Sequence, residues 1–296
     1  MIVSKPSLLA KLSVLLLLSA FSALLPLQAD EPKTLVFSAI PDQDESRLKA
    51  RFSKVADYLS KTLDVPVKYV PVKSYAAAVT SFRNNQLQLA WFGGLSGVRA
   101  RLLTPGAQAI AQGEEDPSFH TYFIAHHSTG LKPSDDFPKS IEGRRFTFGS
   151  KGSTSGRLMP EYHIREHLNK SPEALFKTVG FSGNHSRTVA LVESGAYEVG
   201  AVNYRVWDKM VEEKKVDTSK VSAIWKTPGY PDYQWTIRGD VDRTWGEGFA
   251  DKVKQALLDM KDPELLASFP RARFISASND DYKPIEDTAR AIGLLD

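Results

Sequence analysis

The chain has 296 residues, of which 42% are hydrophobic and 25% charged, so it is a folded globular protein with enough apolar surface for two cores. Its formal net charge is +3, which is too close to neutral for the concentrated basic face that nucleic-acid or membrane-surface binding requires. It has no cysteine, and this excludes a disulfide scaffold, a thiolate metal site, a cysteine nucleophile and a lipid-anchored cysteine.

Residues 1–29 have the layout of a secretory signal peptide. Basic residues precede an apolar run from Leu12 to Leu25, and Ala29 precedes an acidic pair. The apolar run is short for a membrane span, so we interpret the segment as a cleaved leader. An N-terminal anchor helix is the alternative.

Short apolar runs then alternate with amphipathic helical patterns. The predicted strands of the first series are 35–40, 65–72, 87–92, 107–111 and 121–127. The helix after the first strand has apolar residues at a spacing of three or four, namely Leu48, Phe52, Val55, Leu59 and Leu63. Further helices are predicted over 75–82 and 95–103. This alternation predicts a mainly parallel sheet covered by helices.

A polar passage with two prolines, Lys132 to Pro138, suits a crossing to a second lobe. A second alternating series follows it, with strands over 145–148, 176–181, 197–202 and 221–227 and helices that start near Ser155, Ser186 and Arg205. The segment Tyr233 to Arg238 is predicted to return to the first lobe. One continuous helix should cover it, with Trp245, Phe249, Val253, Leu257 and Met260 in register.

The prediction is therefore an α/β protein of two lobes joined by two crossover segments, with a hinged cleft between them. Residues 30–127 and 232–296 are assigned to the first lobe, and residues 128–231 to the second.

The most distinctive stretch runs from Phe146 to Arg157, where a short strand leads through a glycine-rich turn into a helix. Ser153, Thr154 and Ser155 supply hydroxyl groups beside the free N–H groups of the first helical turn, and the helix dipole favours an anion there. The spacing fits neither a P-loop nor a nucleophile elbow. The stretch therefore indicates an oxyanion site, with an ordinary Ser/Thr-capped connection as the alternative.

Other candidate ligand-binding residues lie where strands end, at the crevice of an open α/β sheet. They are Tyr75, Phe92, His185, Asn203, Arg205 and Tyr233. The alternatives are core packing for Phe92 and solvent exposure for His185 and Arg205.

No metal site, cofactor or catalytic residue is predicted. His126 and His127 are adjacent and point to opposite faces of a strand. His163 and His167 have helical spacing, but they lack the glutamate of H-E-x-x-H. The carboxylates form no paired motif that indicates acid–base catalysis.

Four segments together resemble the periplasmic binding proteins of phosphate, phosphite and phosphonate ABC transporters. They are Leu89–Ser96, Phe148–Gly156, Gly183–Ser186 and Ile224–Pro228. The likeness extends over essentially all of the mature chain. It implies a type II periplasmic-binding-protein fold that closes on a small oxyanion and delivers it to a membrane permease with its cytoplasmic ATPase. It also implies a soluble periplasmic monomer without cofactor.

The resemblance implies that Ser153, Thr154 and Ser155 hold the oxyanion, with His185 beside them and Tyr75 reaching across the cleft. Three positions depart from the related aminoalkylphosphonate binders. Phe92 replaces a tyrosine, and Arg205 and Tyr233 stand where those proteins place carboxylates for an ammonium group. These departures favour a compact oxyanion such as phosphite, phosphate or selenate, the last being a label attached to a branch that looks similar.

Two other functions are compatible with such a fold. One is an enzyme similar to the pyrimidine-forming enzyme of thiamine synthesis, but that class uses a cysteine-rich motif and this chain has no cysteine. The other is a ligand-sensing partner of a membrane kinase.

Overall fold

Two mixed β-sheets with helices around them make up the part of the chain that the computed structural model describes, residues 33–267 and 269–295. The predicted signal peptide lies outside the described residues. Within these residues, no helix is both long and apolar enough to cross a membrane.

The strands, in chain order, are β1 (Leu35–Ala39), β2 (Val67–Tyr69), β3 (Leu89–Phe92), β4 (Gln108–Gly113), β5 (Thr121–His126), β6 (Arg145–Phe148), β7 (Thr178–Phe181), β8 (Val199–Asn203), β9 (Val221–Lys226), β10 (Gln234–Ile237) and β11 (Phe274–Ser276). The helices are α1 (Glu45–Leu63), α2 (Tyr75–Arg83), α3 (Gly94–Leu102), α4 (Met159–Leu168), α5 (Pro172–Leu175), α6 (His185–Glu193), α7 (Tyr204–Glu212), α8 (Val241–Trp245), α9 (Phe249–Leu258), α10 (Pro263–Ala267) and α11 (Lys283–Ala291).

The first lobe is built on a six-stranded sheet with the order β11-β4-β10-β3-β1-β2. Its core forms because the apolar stripe of α1 faces the sheet, where Phe52 meets Phe37 edge to face and Leu48, Val55 and Leu59 are buried. Full burial of each such side chain contributes about 1.5–3 kcal/mol. The helix ends at Asp64, which has a left-handed backbone with φ 54°.

The second lobe is built on a five-stranded sheet with the order β7-β6-β8-β5-β9. β5 belongs here, because it pairs antiparallel with both β8 and β9. The assignment of 121–127 to the first lobe was therefore wrong. So was the crossing at Lys132–Pro138, since Phe137 in that passage packs on Phe123 and Trp225 of the second lobe.

The prediction of a mainly parallel sheet was also wrong. β10 enters the first sheet antiparallel to both of its neighbours, β3 and β4, and β11 is antiparallel to β4. The chain reaches β10 from the second lobe and not through a helix that packs on the same sheet. The crossover that makes the strands of a βαβ unit parallel is therefore absent before β10.

The helix predicted over 245–260 is divided in two. α8 ends at Trp245, and Gly246 and Gly248 follow with positive φ angles of 101° and 80°. The Asp242 carboxylate accepts hydrogen bonds from the N–H groups of Gly248 and Ala250, which satisfies donors at the start of α9. β11 and α11 were not predicted.

Two segments connect the lobes, and they run side by side. Phe119 and Tyr230 exchange backbone hydrogen bonds of 2.8 and 3.0 Å, and Asp232 N–H donates to the carbonyl oxygen of Asp116 at 3.1 Å. The Asp116 carboxylate in turn forms a bidentate ion pair with the Arg271 guanidinium, with N···O distances of 2.9 and 2.6 Å. Both side chains of the pair are almost completely buried.

Loss of this buried pair should destabilise the protein strongly. We expect Asp116→Asn to lower the free energy of unfolding by about 3–5 kcal/mol, because it leaves the buried Arg271 without its counter-ion. Urea unfolding followed by circular dichroism measures the change. The exposed pair of Glu114 and Arg273 next to it serves as the control, and Glu114→Gln should leave the unfolding curve unchanged. Equal unfolding midpoints for Asp116→Asn and wild type would contradict the role assigned to the pair.

Candidate functional site

The predicted oxyanion turn lies at the lobe interface. β6 ends at Phe148, and the chain enters a single π-helical turn over Thr154–Leu158 before α4 begins. Ser153 caps this turn, since its Oγ accepts a hydrogen bond of 2.9 Å from Gly156 N–H. The first N–H groups of the turn, those of Thr154 and Ser155, have no acceptor within a helix. The helix start predicted near Ser155 is thus confirmed.

Two glycines allow the close backbone approaches that shape this turn. A Cβ on Gly149 would lie 3.2 Å from the Gly156 Cα, where Gly149 N–H donates to the Gly156 carbonyl oxygen at 2.7 Å. A Cβ on Gly152 would lie 2.9 Å from the Cβ of Tyr75, which belongs to the first lobe. Tyr75 is buried, and the two lobes therefore meet closely beside the turn.

Thr154 joins the turn to the first lobe. Its Oγ1 accepts a hydrogen bond of 3.0 Å from Leu95 N–H, while the Asp232 Oδ1 accepts one of 2.8 Å from Gly94 N–H. These two N–H groups are donors at the start of α3. The N-terminus of α3 is thus satisfied by the protein itself, whereas the N-terminus beside Ser155 keeps its donors.

Asp232 lies at the site, although no role is predicted for it from the sequence. Its side chain is buried, and its Oδ2 has no hydrogen-bond partner among the described residues. Burial raises the pKa of Asp232 to about 7, against the lowering effect of the hydrogen bonds from Gly94 N–H and the Thr154 hydroxyl. Near neutral pH this carboxyl group can therefore either donate or accept a proton. A carboxyl group beside the predicted Tyr233 was the only sequence signal for it.

His185 is a neutral hydrogen-bond donor at the same place. The side chain is completely buried, and burial lowers its pKa to about 3. Its Nδ1 accepts a hydrogen bond of 3.3 Å from Asn203 N–H, which assigns the proton to Nε2. Nε2 lies 3.5 Å from the Ser155 Oγ. His185 and Ser155 are therefore brought together as predicted, without adding a positive charge.

Asn203 and Tyr233 form a network across the lobes. Asn203 Nδ2 donates to the Tyr233 hydroxyl at 3.0 Å, and this hydroxyl donates to the Asp42 Oδ2 at 2.9 Å. The ring of Tyr233 stacks on Trp91 at a centroid distance of 5.5 Å. The hydroxyl of Tyr233 thus connects Asn203 of the second lobe to Asp42 of the first.

Phe92 lies apart from this group, whereas Arg205 adjoins it, since the Arg205 N–H donates to the Asn203 Oδ1 at 2.8 Å. Phe92 is completely buried in the first core, edge to face with Phe82 at 5.6 Å. Arg205 is the second residue of α7, and its guanidinium lies 3.4 Å from the Glu115 carboxylate, so its charge is paired.

A cavity of about 390 Å³ adjoins Tyr233, Asn203 and Arg205. Its walls carry more basic than acidic side chains, the basic ones being Arg47, Arg51, Arg205, Lys209 and Arg271 and the acidic ones Asp42 and Glu213. Arg47 of α1 and Glu213 after α7 form an ion pair of 2.9 Å between the lobes.

The chain matches a family of known proteins. The family described as ABC transporter, phosphonate, periplasmic substrate-binding protein matches residues 37–282. This chain belongs to that family.

Individual relatives agree with this assignment. The probable ABC transporter phosphite binding protein PhnD1 of Prochlorococcus marinus (strain MIT 9301) is 42% identical, over 95% of this chain and 96% of its own length. The structure of PhnD1 in complex with methylphosphonate matches with a TM-score of 0.85, over 89% of this chain and 100% of that one. The phosphonates-binding periplasmic protein of Escherichia coli (strain K12) is 25% identical, over 95% of this chain and 83% of its own.

The type II periplasmic-binding-protein fold, with two α/β lobes and two crossings, is therefore confirmed. Members of this family are substrate-binding components of ABC importers, and the interlobe turn of this member has the donors that a small oxyanion requires. The cysteine-dependent enzyme considered from the sequence is not favoured.

The raised pKa of Asp232 makes a pH-dependent prediction. The folded protein holds this proton up to about pH 7 while the unfolded chain releases it near pH 4, so the free energy of unfolding falls as pH rises between these values. Asp232→Asn cannot ionise. It should therefore gain stability relative to wild type by roughly 2–3 kcal/mol between pH 5 and pH 8, at about 1.36 kcal/mol per unit.

Urea unfolding of the ligand-free proteins at pH 5, 6, 7 and 8 measures this difference. Because burial lowers the pKa of His185, its contribution to the free energy of unfolding rises with pH. This contribution is the same in both proteins, so it cancels in their difference. Exposed Asp57 provides the control, and Asp57→Asn should follow the wild-type profile. A constant difference between wild type and Asp232→Asn across the range would show that Asp232 titrates normally.

Proposed function

We propose that this protein is the periplasmic receptor of an ABC importer for a small phosphorus oxyanion of the phosphite or methylphosphonate class. The observation that carries the proposal is the pairing of two features across the cleft. On one side are the N–H groups of Thr154 and Ser155, which precede the first bonds of the π-helical turn, and on the other is the buried Asp232 Oδ2, which has no partner among the described residues. Anion donors and a proton-sharing carboxyl group together suit an oxyanion that still carries a proton near neutral pH.

The electrostatics favour hydrogen bonding over charge pairing. His185 is neutral, and Arg205 is paired with Glu115. The anion would be held by N–H and hydroxyl dipoles at a helix N-terminus, in a site where burial strengthens each bond. Such a site discriminates among oxyanions by their shape and by whether they carry a proton. A fully deprotonated oxyanion such as selenate has no O–H group to donate to Asp232 and could bind only when Asp232 itself holds the proton.

The adjoining cavity is unsuitable for an ammonium tail. Its acidic residues are engaged, Asp42 by the hydroxyl of Tyr233 and Glu213 by Arg47. Basic side chains outnumber acidic ones in the wall by five to two, although Arg47, Arg205 and Arg271 are themselves ion-paired. An aminoalkylphosphonate would therefore place its positive charge next to guanidinium groups, and this favours ligands without an amine.

The relatives support the ligand class. The PhnD1 protein is named as a phosphite binding protein, and its structure holds methylphosphonate. We propose that the segments 114–120 and 227–233 act as the hinge, that the mature protein works as a monomer, and that residues 1–29 direct its export to the periplasm. Its partners would be a membrane permease and the cytoplasmic ATPase of the importer.

Removal of one hydroxyl from the turn should weaken binding. Ser155→Ala should lower the affinity for phosphite by on the order of 1.5–3 kcal/mol, because a hydrogen bond to a charged group is lost. Isothermal titration calorimetry measures the affinity, and circular dichroism checks the fold. Ser150→Ala, a change in the same connection ahead of the π-helical turn, is the matched control and should bind like wild type. If Ser155→Ala kept full affinity, the oxyanion would have to lie elsewhere.

A ligand panel tests the proposed class. Wild type should bind phosphite or methylphosphonate more tightly than 2-aminoethylphosphonate or selenate, with phosphate as a further arm of the calorimetric titration. Arg205→Gln removes a cavity guanidinium and frees the Glu115 carboxylate. It should therefore reduce the difference in affinity between phosphite and 2-aminoethylphosphonate several-fold, by about 1 kcal/mol. Exposed Arg187 is the control, and Arg187→Gln should leave the ranking unchanged. Tightest binding of the aminophosphonate by wild type would refute the proposal.

A further inference from the structure

α4 carries a cluster of metal-ligand side chains away from the cleft. His163, Glu166 and His167 occupy positions i, i+3 and i+4, so they share one face of the helix. Each offers a ligand atom, and these atoms all lie within 4.8 Å of one another. The cluster does not match H-E-x-x-H, because here the glutamate directly precedes the second histidine, as in the H-x-x-E-H order of another zinc class.

The Glu166 carboxylate approaches both histidines. The Glu166 Oε2 lies 3.2 Å from the His163 Nδ1 and 3.9 Å from the His167 Nε2. Ligands of a tetrahedral zinc ion, with bonds of about 2.0–2.2 Å, lie about 3.4 Å apart. The two separations lie on either side of this value, so the Glu166 carboxylate is at about the ligand–ligand distance from each histidine.

Neighbouring groups hold the ligands in place. The ring of His167 stacks on Phe137 with centroids 4.4 Å apart and an interplanar angle of 10°, and the ring of His163 lies edge to face with Trp225 at 5.3 Å. The hydroxyl of Tyr162 donates to the Glu166 Oε1 at 3.3 Å, which leaves Oε2 for the cluster. An outer group that orients a ligand in this way is a usual part of metal sites.

We propose that His163, Glu166 and His167 form a binding site for a borderline divalent transition-metal ion, with Zn²⁺ as the best fit. Two imidazoles and one carboxylate are ligands that Zn²⁺ accepts, and the fourth position would be taken by water. The side chain of His163 is nine-tenths buried, whereas those of Glu166 and His167 are partly exposed, so the ion would enter from the surface.

This site is separate from the oxyanion site. His163 follows Ser155 by eight residues, which places it on the order of 10 Å further along the helix axis. Phe137 and Trp225, which contact the two histidines, belong to the core of the second lobe. Zn²⁺ would therefore bind one lobe alone, and it would stabilise that lobe whether or not an oxyanion is in the cleft.

Titration of the full mature protein with ZnCl2 in a buffer without phosphate tests the proposal. We expect one Zn²⁺ per chain and a rise in the melting temperature. His167→Ala should weaken Zn²⁺ binding more than about 100-fold, beyond the 10–100-fold effect of outer-shell changes. Glu166→Gln keeps the shape of the side chain and should also weaken binding, which guards against a folding defect in His167→Ala.

The exposed His127 provides the matched control, and His127→Ala should bind Zn²⁺ like wild type. Phosphite affinity, measured in parallel, should be the same with and without Zn²⁺ in all four proteins, which keeps this test independent of the proposed oxyanion function. The proposal is overturned if wild type binds no Zn²⁺ under these conditions. It is equally overturned if both Glu166→Gln and His167→Ala retain wild-type affinity for the ion.

Discussion

The buried ion pair between Asp116 and Arg271 fixes the part of the molecule on which the site depends. Asp116 lies in the first crossing, and its backbone carbonyl accepts from Asp232 N–H of the second. The guanidinium of Arg271 also lies over the rings of Phe119 and Tyr233, at 5.5 and 5.4 Å. One desolvated pair therefore holds both crossings and the C-terminal segment together. In so low a dielectric neither charge can be removed alone without a large cost, so the position of Asp232 is set by stability before any ligand arrives.

The sequence predicted the local features of this fold better than it predicted which strands pair and in which direction. Strand β6 and the turn from Ser153 to Ser155 are encoded by neighbouring residues, and the structure places them as expected. The lobe of β5 and the direction of β10 depend instead on strands far away in the chain. Apolar periodicity is the same for a strand in either sheet and in either direction, so it does not contain this information.

The candidate site shows the same limit at the level of single residues. Hydroxyl residues and glycines in the sequence predicted the turn. The raised pKa of Asp232, however, depends on its burial, and its position depends on the hydrogen bond from Gly94 N–H at the start of α3, and neither is visible in a sequence. Arg205 illustrates the converse, because its apparent free charge is cancelled by Glu115 of the first crossing. Partners and desolvation, rather than residue type, decide what an ionisable side chain does here.

The occupied N-terminus of α3 has a consequence for the order of events in binding. The hydrogen bond between the Thr154 Oγ1 and Leu95 N–H joins the lobes, so it can exist only after they have come together. An arriving anion would therefore first meet the second lobe alone, where the donors beside Ser155 are free. The first lobe contributes afterwards, when Leu95 N–H forms its hydrogen bond with the Thr154 Oγ1 and holds the lobes together. Substitutions at the start of α3 should then change the dissociation rate of the anion, whereas substitutions in the turn of the second lobe should change its association rate.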